Sequence, residues 1–392
     1  MPRPYAEIFH AFAKLGVTSF GGPVAHLGFF RDEIVVKRRW LDEAAYADLI
    51  ALCQFLPGPS SSQVCFALGL KRGGLIGGLI ASLAFTLPSA VAMILFALGV
   101  EAIGDIGRSG WLQGLKVAAV GVVAHAVLGM ARQLCPDAPR ILLAVAAMTG
   151  ALILPGVSGQ LLAMAGGGFM GYLLYRRVSE ASETRTEVAG NRKKGAFALA
   201  LFALLLVGLP ILAGVVDSTA LAMFERFYRS GALVFGGGHV VLPLLRAEVV
   251  PPGWISDETF LAGYGAAQAI PGPLFTFSAF LGAAMKPAPH GWLGGAWCLI
   301  AIFLPALLLV GGALPFWERL RASPAARAAL RGTNAAVVGV LAAALCTPVM
   351  SEGIRSPAHA LLALLAFLGL QILKMPAWAV VLVSAGAGSV VL

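Results

Sequence analysis

Two helix-breaking motifs, each present twice, carry the residues best suited to bind an ion. Phe20–Pro23 (FGGP) is followed by Gln54–Pro59 (QFLPGP), and the second half contains Phe235–Gly238 (FGGG) and Gln268–Pro273 (QAIPGP). Proline lacks an N–H and restricts the residue before it, so a helix breaks there and leaves backbone groups free. Helices broken at corresponding places of two repeats form the sites of many secondary transporters. The motifs therefore predict a duplicated transporter with its site at the breaks.

Three serines follow the first Pro-Gly-Pro break, at the predicted start of a new helix. Ser60, Ser61 and Ser62 would add hydroxyls to free N–H groups, and a helix N-terminus attracts anions. The corresponding stretch after the second break, from Leu274 to Ser278 (LFTFS), holds fewer hydroxyls. We expect the first break to be the better anion-binding surface. The alternative reading of either break is a simple kink or a packing notch.

Charged residues recur at the same spacing as the motifs. Arg31 and Glu33 correspond to Arg246 and Glu248 at a shift of 215 residues. An arginine holds an oxyanion in bidentate fashion, and a glutamate in a membrane can bind a coupling proton. The alternative is a pair of solvated helix ends at the membrane boundary.

Further polar residues recur near the breaks and in one later helix. Gln54 and Gln268 precede the two breaks and are expected to hydrogen-bond the disrupted backbone or the ion. Lys116, matched by Asn334, is a candidate second cation. The alternative for Lys116 is a long side chain that reaches the membrane surface.

Two histidines next to the glycine motifs are candidate proton carriers. His26 and His239 titrate near neutral pH in an ordinary environment. Their positions differ by two residues when the motifs are aligned, which favours structural histidines.

The predicted substrate-binding residues are Gly21, Gly22, Arg31, Gln54, Pro57, Gly58, Pro59, Ser60, Ser61, Ser62, Lys116, Gly236, Gly237, Arg246, Gln268, Pro271, Gly272, Pro273 and Asn334. The predicted coupling residues are Glu33, Glu248, His26 and His239, and no catalytic or metal-ligating residue is predicted.

The composition indicates that these residues are carried by membrane helices. Hydrophobic residues make up 59% of the chain and charged residues 12%, whereas soluble domains carry about a quarter charged residues. The net charge of +9 is expected to lie in cytoplasmic loops, not in a nucleic-acid surface. No phosphate-binding loop or hydrolase motif occurs, so we predict no enzyme and no cofactor. Transport would then use an ion gradient.

Charge-free runs predict an all-α polytopic membrane protein with about thirteen segments. The predicted divisions are a first repeat at 1–175, a charged cytoplasmic linker at 176–194, an unpaired helix at 195–216 and a second, inverted repeat at 217–392. Leu87-Pro88 recurs as Leu304-Pro305, which supports the duplication beyond the two motifs. An even number of crossings in each repeat and one unmatched helix between them would invert the second copy.

Basic loops orient the predicted helices. The linker and the loop after residue 316 each carry an excess of positive charge, which places the N-terminus in the cytoplasm. Lys37–Arg39 would then lie outside if the first segment crosses the membrane. Either that segment dips in and returns without crossing, or its cations serve the substrate.

These motifs, together with the run from Arg31 to Leu41 and the segment from Cys53 to Gln63, resemble the long, two-domain form of the chromate ion transporter family. The resemblance covers nearly the whole chain outside the linker. It implies efflux of chromate from the bacterial cytoplasm across the inner membrane, driven by the membrane potential or a proton gradient. It also implies two repeats inserted in opposite orientations.

Several alternatives remain open from the sequence. Chromate and sulfate are tetrahedral dianions with similar oxygens, so sulfate or another oxyanion is an alternative substrate. A passive anion channel and a membrane enzyme acting on lipid phosphates are alternative functions. The expected partners are the anion, membrane lipid and, as an open alternative, a second copy in a homodimer; nucleic acid is not expected.

Overall fold

The computed structural model describes residues 4–103, 110–154, 156–176, 191–235, 238–317 and 323–392, and throughout these ranges the chain forms helices and their connections. The helices of the first half are α1 (Tyr5–Thr18), α2 (Gly22–Phe30, continued by a π-helix at Arg31–Lys37), α3 (Glu43–Phe55), α4 (Ser60–Ile103), α5 (Gly110–Leu134), α6 (Ala138–Ile153) and α7 (Val157–Tyr175). The later helices are α8 (Arg192–Val215), α9 (Thr219–Ala232), α10 (Val241–Val249), α11 (Asp257–Ala267), α12 (Phe277–Ala284), α13 (Gly291–Ala313), α14 (Pro324–Ala344, continued by a π-helix at Leu345–Met350), α15 (Pro357–Gln371) and α16 (Ala377–Val391). The predicted all-α class is therefore confirmed for the described residues, and most of the predicted linker, residues 177–190, lies outside them.

Five helical stretches of the described residues are long and apolar enough to cross a membrane. They are Ser60–Ala102, Gly110–Leu134, Arg192–Val215, Gly291–Phe316 and Pro324–Gly353. The stretch Arg192–Val215 is the predicted unpaired helix, and only 6% of its apolar window is buried, so α8 lies at the periphery. It touches α13 where Gly195 approaches the Gly312 carbonyl. Shorter apolar helices complete the bundle.

Polar caps begin several helices where loop sequence changes to an apolar run. Asp42 accepts a hydrogen bond from the Ala45 N–H at the start of α3, and Ser256 accepts one from the Thr259 N–H at the start of α11. A cap of this kind stabilises a helix by about 1 kcal/mol. The caps thereby fix the first turns of the two helices that lead into the Pro-Gly-Pro breaks.

A second backbone break divides α4. Gly73 and Gly74 leave helical geometry, with φ/ψ of −137°/20° and 65°/−162°. The break separates a short helix at residues 60–72 from the long helix that runs to Ile103. At the corresponding place of the second half, residues 285–290 separate α12 from α13. Each Pro-Gly-Pro motif thus lies at the tip of a hairpin of two short helices.

The open ends of the first-half hairpins meet at one side of the molecule, which we call the N-terminal face. Near the start of α1, Glu7 accepts hydrogen bonds from Trp40 Nε1 at 2.9 Å and from Arg72 Nη2 at 3.0 Å. Trp40 lies between α2 and α3, and Arg72 ends the helix at 60–72. The α1–α2 hairpin and the following hairpin therefore both return to the face from which they start.

The open ends of the second-half hairpins meet at another site, which we call the opposite face. Trp297 Nε1, near the start of α13, donates to the Ala220 carbonyl at the start of α9 over 2.8 Å. The Lys286 N–H, just after α12, donates to the Trp254 carbonyl, just before α11, over 3.0 Å. These two hairpins also return to the face from which they start.

The helices α4 and α13 run between the two faces in opposite directions. Near the end of α4, Glu101 lines a cavity of about 350 Å³ together with Lys286 and His290 at the opposite face. Just after α13, Trp317 Nε1 donates to Asp48 Oδ1 of α3 over 2.9 Å. The hairpins of the first half and those of the second half therefore open toward opposite ends of these two helices.

Four of the predicted crossing segments are thus hairpins that do not run from one face to the other. In the sequence these segments are the runs with few or no charged residues at 15–30, 49–70, 220–245 and 259–285. The difficulty with the cations at 37–39 disappears, because Arg38 lies 3.5 Å from Glu7 at the N-terminal face, beside Arg72. The count of thirteen crossings is not supported for these segments, and the inverted duplication stays a prediction.

Glycine contacts join the two halves reciprocally. Gly114 of α5 packs against the backbone of Ser384 in α16, and Gly332 of α14 packs against Gly167 in α7. Helix α5 of the first half therefore receives α16 of the second half, while α14 of the second half receives α7 of the first. Small residues permit this close backbone approach in membrane bundles.

We expect Gly114→Leu and Gly332→Leu to lower the midpoint of thermal unfolding in detergent. A side chain at either position meets backbone of the partner helix, and overpacking of this kind destabilises by about 1–3 kcal/mol. Gly129→Leu on α5 is the matched control, because a Cβ there meets nothing within 4 Å. Equal effects of Gly114→Leu and Gly129→Leu would contradict the packing.

Candidate functional site

Two reciprocal hydrogen bonds connect the breaks of the two halves. The Gly58 N–H donates to the Val234 carbonyl over 2.7 Å, and the Gly272 N–H donates to the Ser19 carbonyl over 2.9 Å. Ser19 and Val234 directly precede the two glycine motifs. Each Pro-Gly-Pro break therefore lies against the end of the helix that leads into the glycine motif of the other half.

Both central glycines adopt backbone conformations that L side chains rarely take. The φ of Gly58 is 122° and that of Gly272 is 100°. A Cβ on Gly272 would lie 2.7 Å from Ser89 Oγ of α4, and a Cβ on Gly58 would lie 2.8 Å from Gln63 Nε2 and 3.4 Å from Ala306 of α13. Each break is thus packed against the long helix of the other half.

A small cavity lies at the second break. Its volume is about 20 Å³, and it is lined by Gly21, Gly22, His239, Ala267, Gln268, Ile270, Gly272, Leu274 and Ala377. Gln268 Nε2 is buried and has no hydrogen-bond partner. The structure therefore brings together predicted residues from the first glycine motif and the second Pro-Gly-Pro motif, with one amide donor left over.

The surroundings of this cavity are aromatic and weakly polar. His239 Nδ1 lies 2.7 Å from the Tyr264 hydroxyl, and the Phe20 ring packs against Trp378 at 5.8 Å between centroids. His26 instead lies buried against Phe30 and Phe85. The two histidines therefore differ in setting, in keeping with the two-residue offset in the alignment.

The first break retains polar groups without partners. Ser61 and Ser62 are buried, Ser60 is half-buried, and Ser62 Oγ has no hydrogen-bond partner. Gln63 Nε2 donates to the Pro57 carbonyl over 2.7 Å, while its Oε1 is unpartnered. These groups lie in the first turn of a helix, where the backbone N–H groups have no intrahelical acceptor.

At the second break the hydroxyls are used locally. Thr276 Oγ1 donates to the Pro273 carbonyl, and Ser278 Oγ donates to the Phe275 carbonyl, each over 2.8 Å. The two breaks are thus chemically unequal. The second break has an unpartnered amide donor, and the first has an unpartnered hydroxyl. That the first break is the better anion-binding surface stays a prediction.

The predicted arginines are engaged by carboxylates. Arg31 contacts Glu43 through Nε at 3.0 Å and Nη2 at 2.6 Å, and Arg246 contacts Asp257 through Nε at 2.6 Å and Nη2 at 2.9 Å. Both pairs have the bidentate geometry that an oxyanion would take. An anion at either guanidinium must therefore compete with a carboxylate.

The first predicted coupling carboxylate is buried among cations. Glu33 accepts from Lys14 Nζ at 2.9 Å and from Arg38 Nε at 3.0 Å. Burial alone would raise the pKa of Glu33, but these two hydrogen bonds outweigh it and hold the pKa below its usual value. Glu33 therefore stays ionised at neutral pH.

The second predicted coupling carboxylate has a different balance. Glu248 lies 2.9 Å from Arg229 Nη2, but Glu225 shares the same guanidinium. Burial raises the pKa of Glu248, and the charge of Glu225 adds to that effect, while Arg229 and Arg226 oppose it. Of the two matched carboxylates, Glu248 is therefore the one that is more easily protonated.

Sequence reasoning missed the partners of these groups. Lys14 corresponds to Arg229 at a shift of 215 residues, and Glu43 corresponds to Asp257 at a shift of 214. The signal was present as basic and acidic types at matched positions. It was overlooked because the residues in each ion pair are 11 to 19 positions apart in the chain.

The remaining predicted residues are not among those that line the cavity at the second break. Lys116 is buried, with Nζ 3.7 Å from Glu258 Oε1, and so does not extend to the surface. Asn334 Oδ1 has no partner, and Gln54 is exposed. Pro57, Pro59, Pro271 and Pro273 flank the two central glycines; Gly236 and Gly237 lie outside the described residues.

Comparisons with known proteins give a consistent result. The sequence model of one family, described as chromate transporter, matches residues 6–172 and again residues 221–389. A chromate transport protein of Pseudomonas aeruginosa is 30% identical, covering 87% of this chain and 80% of the relative. A probable chromate transport protein of Synechococcus elongatus is 28% identical (86% and 83%), and a chromate transport protein of Cupriavidus metallidurans is 25% identical (85% and 80%). No solved structure matches the chain.

We expect Gly58→Ala and Gly272→Ala to lower the thermal unfolding midpoint in detergent. Each adds a positive-φ penalty of about 1–2 kcal/mol and a steric contact at the crossed breaks. Gly253→Ala is the control, because its φ of 75° carries the conformational penalty while a Cβ there meets nothing within 4 Å. If all three variants lose the same stability, the contacts at the breaks contribute nothing.

We expect Glu33→Gln to lower the free energy of unfolding at pH 7 by about 1.5–3 kcal/mol, since it loses hydrogen bonds from two cations. Because the folded pKa of Glu33 is depressed, its contribution is complete above its unfolded pKa of about 4.3 and fades as pH falls through the folded value. Glu248→Gln is the matched comparison. The folded pKa of Glu248 is raised, so its ionised form costs stability at pH 7, and this cost fades as the pH falls. The stability of wild type relative to Glu248→Gln should therefore rise as the pH falls, whereas the stability of wild type relative to Glu33→Gln should fall. Unfolding midpoints of both variants and wild type from pH 7 to pH 3.5 test the two signs.

Proposed function

The chain belongs to the chromate transporter family, and from this premise we propose that it is a secondary transporter that exports chromate across the bacterial inner membrane. The apolar helices and the family together identify an integral membrane protein. We also propose that transport is directed out of the cell and is coupled to a proton gradient or to the membrane potential. The reciprocal hydrogen bonds between the breaks are the observation that supports it best.

The crossed breaks are suited to an anion for a chemical reason. Chromate is a dianion and needs several N–H or hydroxyl donors. Gln268 Nε2 and Ser62 Oγ are unpartnered polar groups beside broken helices of different halves. Buried donors without partners cost free energy until an acceptor arrives, which makes them a favourable place for an oxyanion.

The size of the cavity implies movement during transport. A cavity of about 20 Å³ has room for about one water molecule, and a tetrahedral oxyanion is larger. The breaks must therefore separate to bind chromate. The two halves are joined at the breaks by two separate hydrogen bonds, at Gly58 and at Gly272, and we propose that one break opens toward one face while the bond at the other break stays formed. This is the behaviour required for alternating access.

We further propose that the four hairpins re-enter the membrane without crossing it. Nine crossing helices then remain: the long part of α4, α5, α6, α7, α8, α13, α14, α15 and α16. Four crossings in each repeat and one in α8 still invert the second repeat. The N-terminal face would be cytoplasmic, because Lys14, Lys37, Arg38 and Arg72 lie there.

A flux measurement in proteoliposomes tests the function. Wild-type protein should move chromate against its gradient when a membrane potential or pH step is imposed. A passive channel would only equilibrate chromate downhill. An enzyme acting on lipid phosphates would release phosphate without a gradient and carry no chromate. Sulfate flux in the same vesicles, and competition by sulfate, measures selectivity.

Loss of one donor tests the position of the site. We expect Gln268→Ala and Ser62→Ala each to raise the KM for chromate about tenfold or more, because a hydrogen bond to a charged group is worth about 1.5–3 kcal/mol. Thr149→Ala is the control, since its exposed hydroxyl only donates to the Val145 carbonyl. Unchanged KM values in both site variants, with wild-type flux intact, would remove the breaks from the binding site.

A further inference from the structure

A larger cavity lies away from the crossed breaks. It has a volume of about 430 Å³, and its lining includes Gly156, Gln160, Pro243, Arg246 and Thr347. Its walls come from the α6–α7 connection, α10 and the end of α14. The volume is in the range of sites that bind small molecules.

The polar groups of this cavity come from interrupted helices. Gly156, with φ of 102°, precedes α7, and Thr347, with φ/ψ of −142°/114°, interrupts the continuation of α14. Gln160 Nε2 donates to the Pro243 carbonyl over 3.3 Å, and its Oε1 has no partner. The unpartnered Gln160 Oε1 is an acceptor and suits a water molecule, whereas an oxyanion needs donors, of which the Arg246 guanidinium is the strongest in this lining.

Arg246 supplies the positive charge of the lining, and its guanidinium is paired with the Asp257 carboxylate. The side chains of Arg246 and Asp257 are 26% and 24% exposed, so the pair is only partly screened by water. Asp257 is the first residue of α11 and holds the guanidinium in a bidentate pair. The carboxylate thus occupies the position that a second oxyanion would take.

We propose that this cavity is a vestibule for the transported oxyanion, in which Arg246 exchanges the Asp257 carboxylate for the anion. The inference rests on the proposed function. Arg246 lies near the end of α10 and pairs with the first residue of α11, so it lies toward the opposite face, where an exported anion leaves. Return of Asp257 to the guanidinium displaces the anion, so the carboxylate keeps affinity low on the release side.

The first half contains a natural comparison. Arg31 and Glu43 form the same kind of pair, but their side chains are 49% and 57% exposed. An exposed pair of this kind contributes little to binding or stability because water screens it. Removing the Glu43 charge therefore breaks an ion pair like that of Arg246 and Asp257, but it frees Arg31, which does not line the 430 Å³ cavity.

Chromate binding to the purified protein in detergent tests the exchange. Asp257→Asn should lower the chromate Kd about tenfold, because the amide no longer competes as an anion, and it should slow turnover in proteoliposomes because release is impaired. Arg246→Gln should raise the Kd about tenfold. Glu43→Gln should leave the Kd within twofold of wild type. Asp257→Ser, which keeps a residue common at helix starts, repeats the test if the asparagine variant is unstable.

The same measurements separate the vestibule from the breaks and from the proposed function. The order of the Kd values should persist in a Gln268→Ala background, since Gln268 does not line this cavity. Weaker or unchanged chromate binding by both Asp257 variants would overturn the exchange and leave the pair as a structural brace. If wild-type vesicles carry no chromate, the proposed function fails; tighter binding of sulfate or phosphate by Asp257→Asn would still support the vestibule.

Discussion

The two hydrogen bonds between the breaks are the constraint on which the rest of the arrangement depends. In a Pro-Gly-Pro triplet the glycine has the only backbone N–H, because proline has none. Gly58 and Gly272 direct that single donor to the carbonyls of Val234 and Ser19, which lie just beyond the ends of α9 and α1. Those carbonyls have lost their intrahelical partners. The helix defects of each half are thus satisfied by those of the other half, in a setting where an unsatisfied backbone group costs several kcal/mol.

The charged residues at the two faces follow from the same arrangement. Hairpins that return to their own face bring the starts and ends of short helices together, and their charges then meet. Lys14 with Glu33 and Arg229 with Glu248 close the mouths of the two glycine-motif hairpins. The matched arginine pairs with Glu43 and Asp257 join those hairpins to the next helix. Ion pairing therefore explains the recurrence of these charges before any contact with substrate is considered.

Much of the fold could be predicted because proline and glycine act locally. The breaks at Pro57 and Pro271, the apolar helix α8 and the all-α class of the described residues all follow from short stretches of sequence. The return of the hairpins could not be decided, since a broken helix of twenty apolar residues and a crossing helix have the same hydropathy. The conflict at Lys37–Arg39 was the only sign of it, and the Glu7 contacts with Trp40 and Arg72 resolve it. The partners of Arg31 and Arg246 also escaped prediction, because pairing depends on how successive helices fold back.

The reciprocal glycine contacts of α5 and α14 have a consequence for biosynthesis. The groove on α5 that contains Gly114 is filled by α16, whose Ser384 is synthesised 384 − 114 = 270 residues later. This packing surface of the first half therefore stays uncovered until α16 has been synthesised, and the first half reaches its final form only then. Synthesis of the two halves is sequential, but their maturation is a single event.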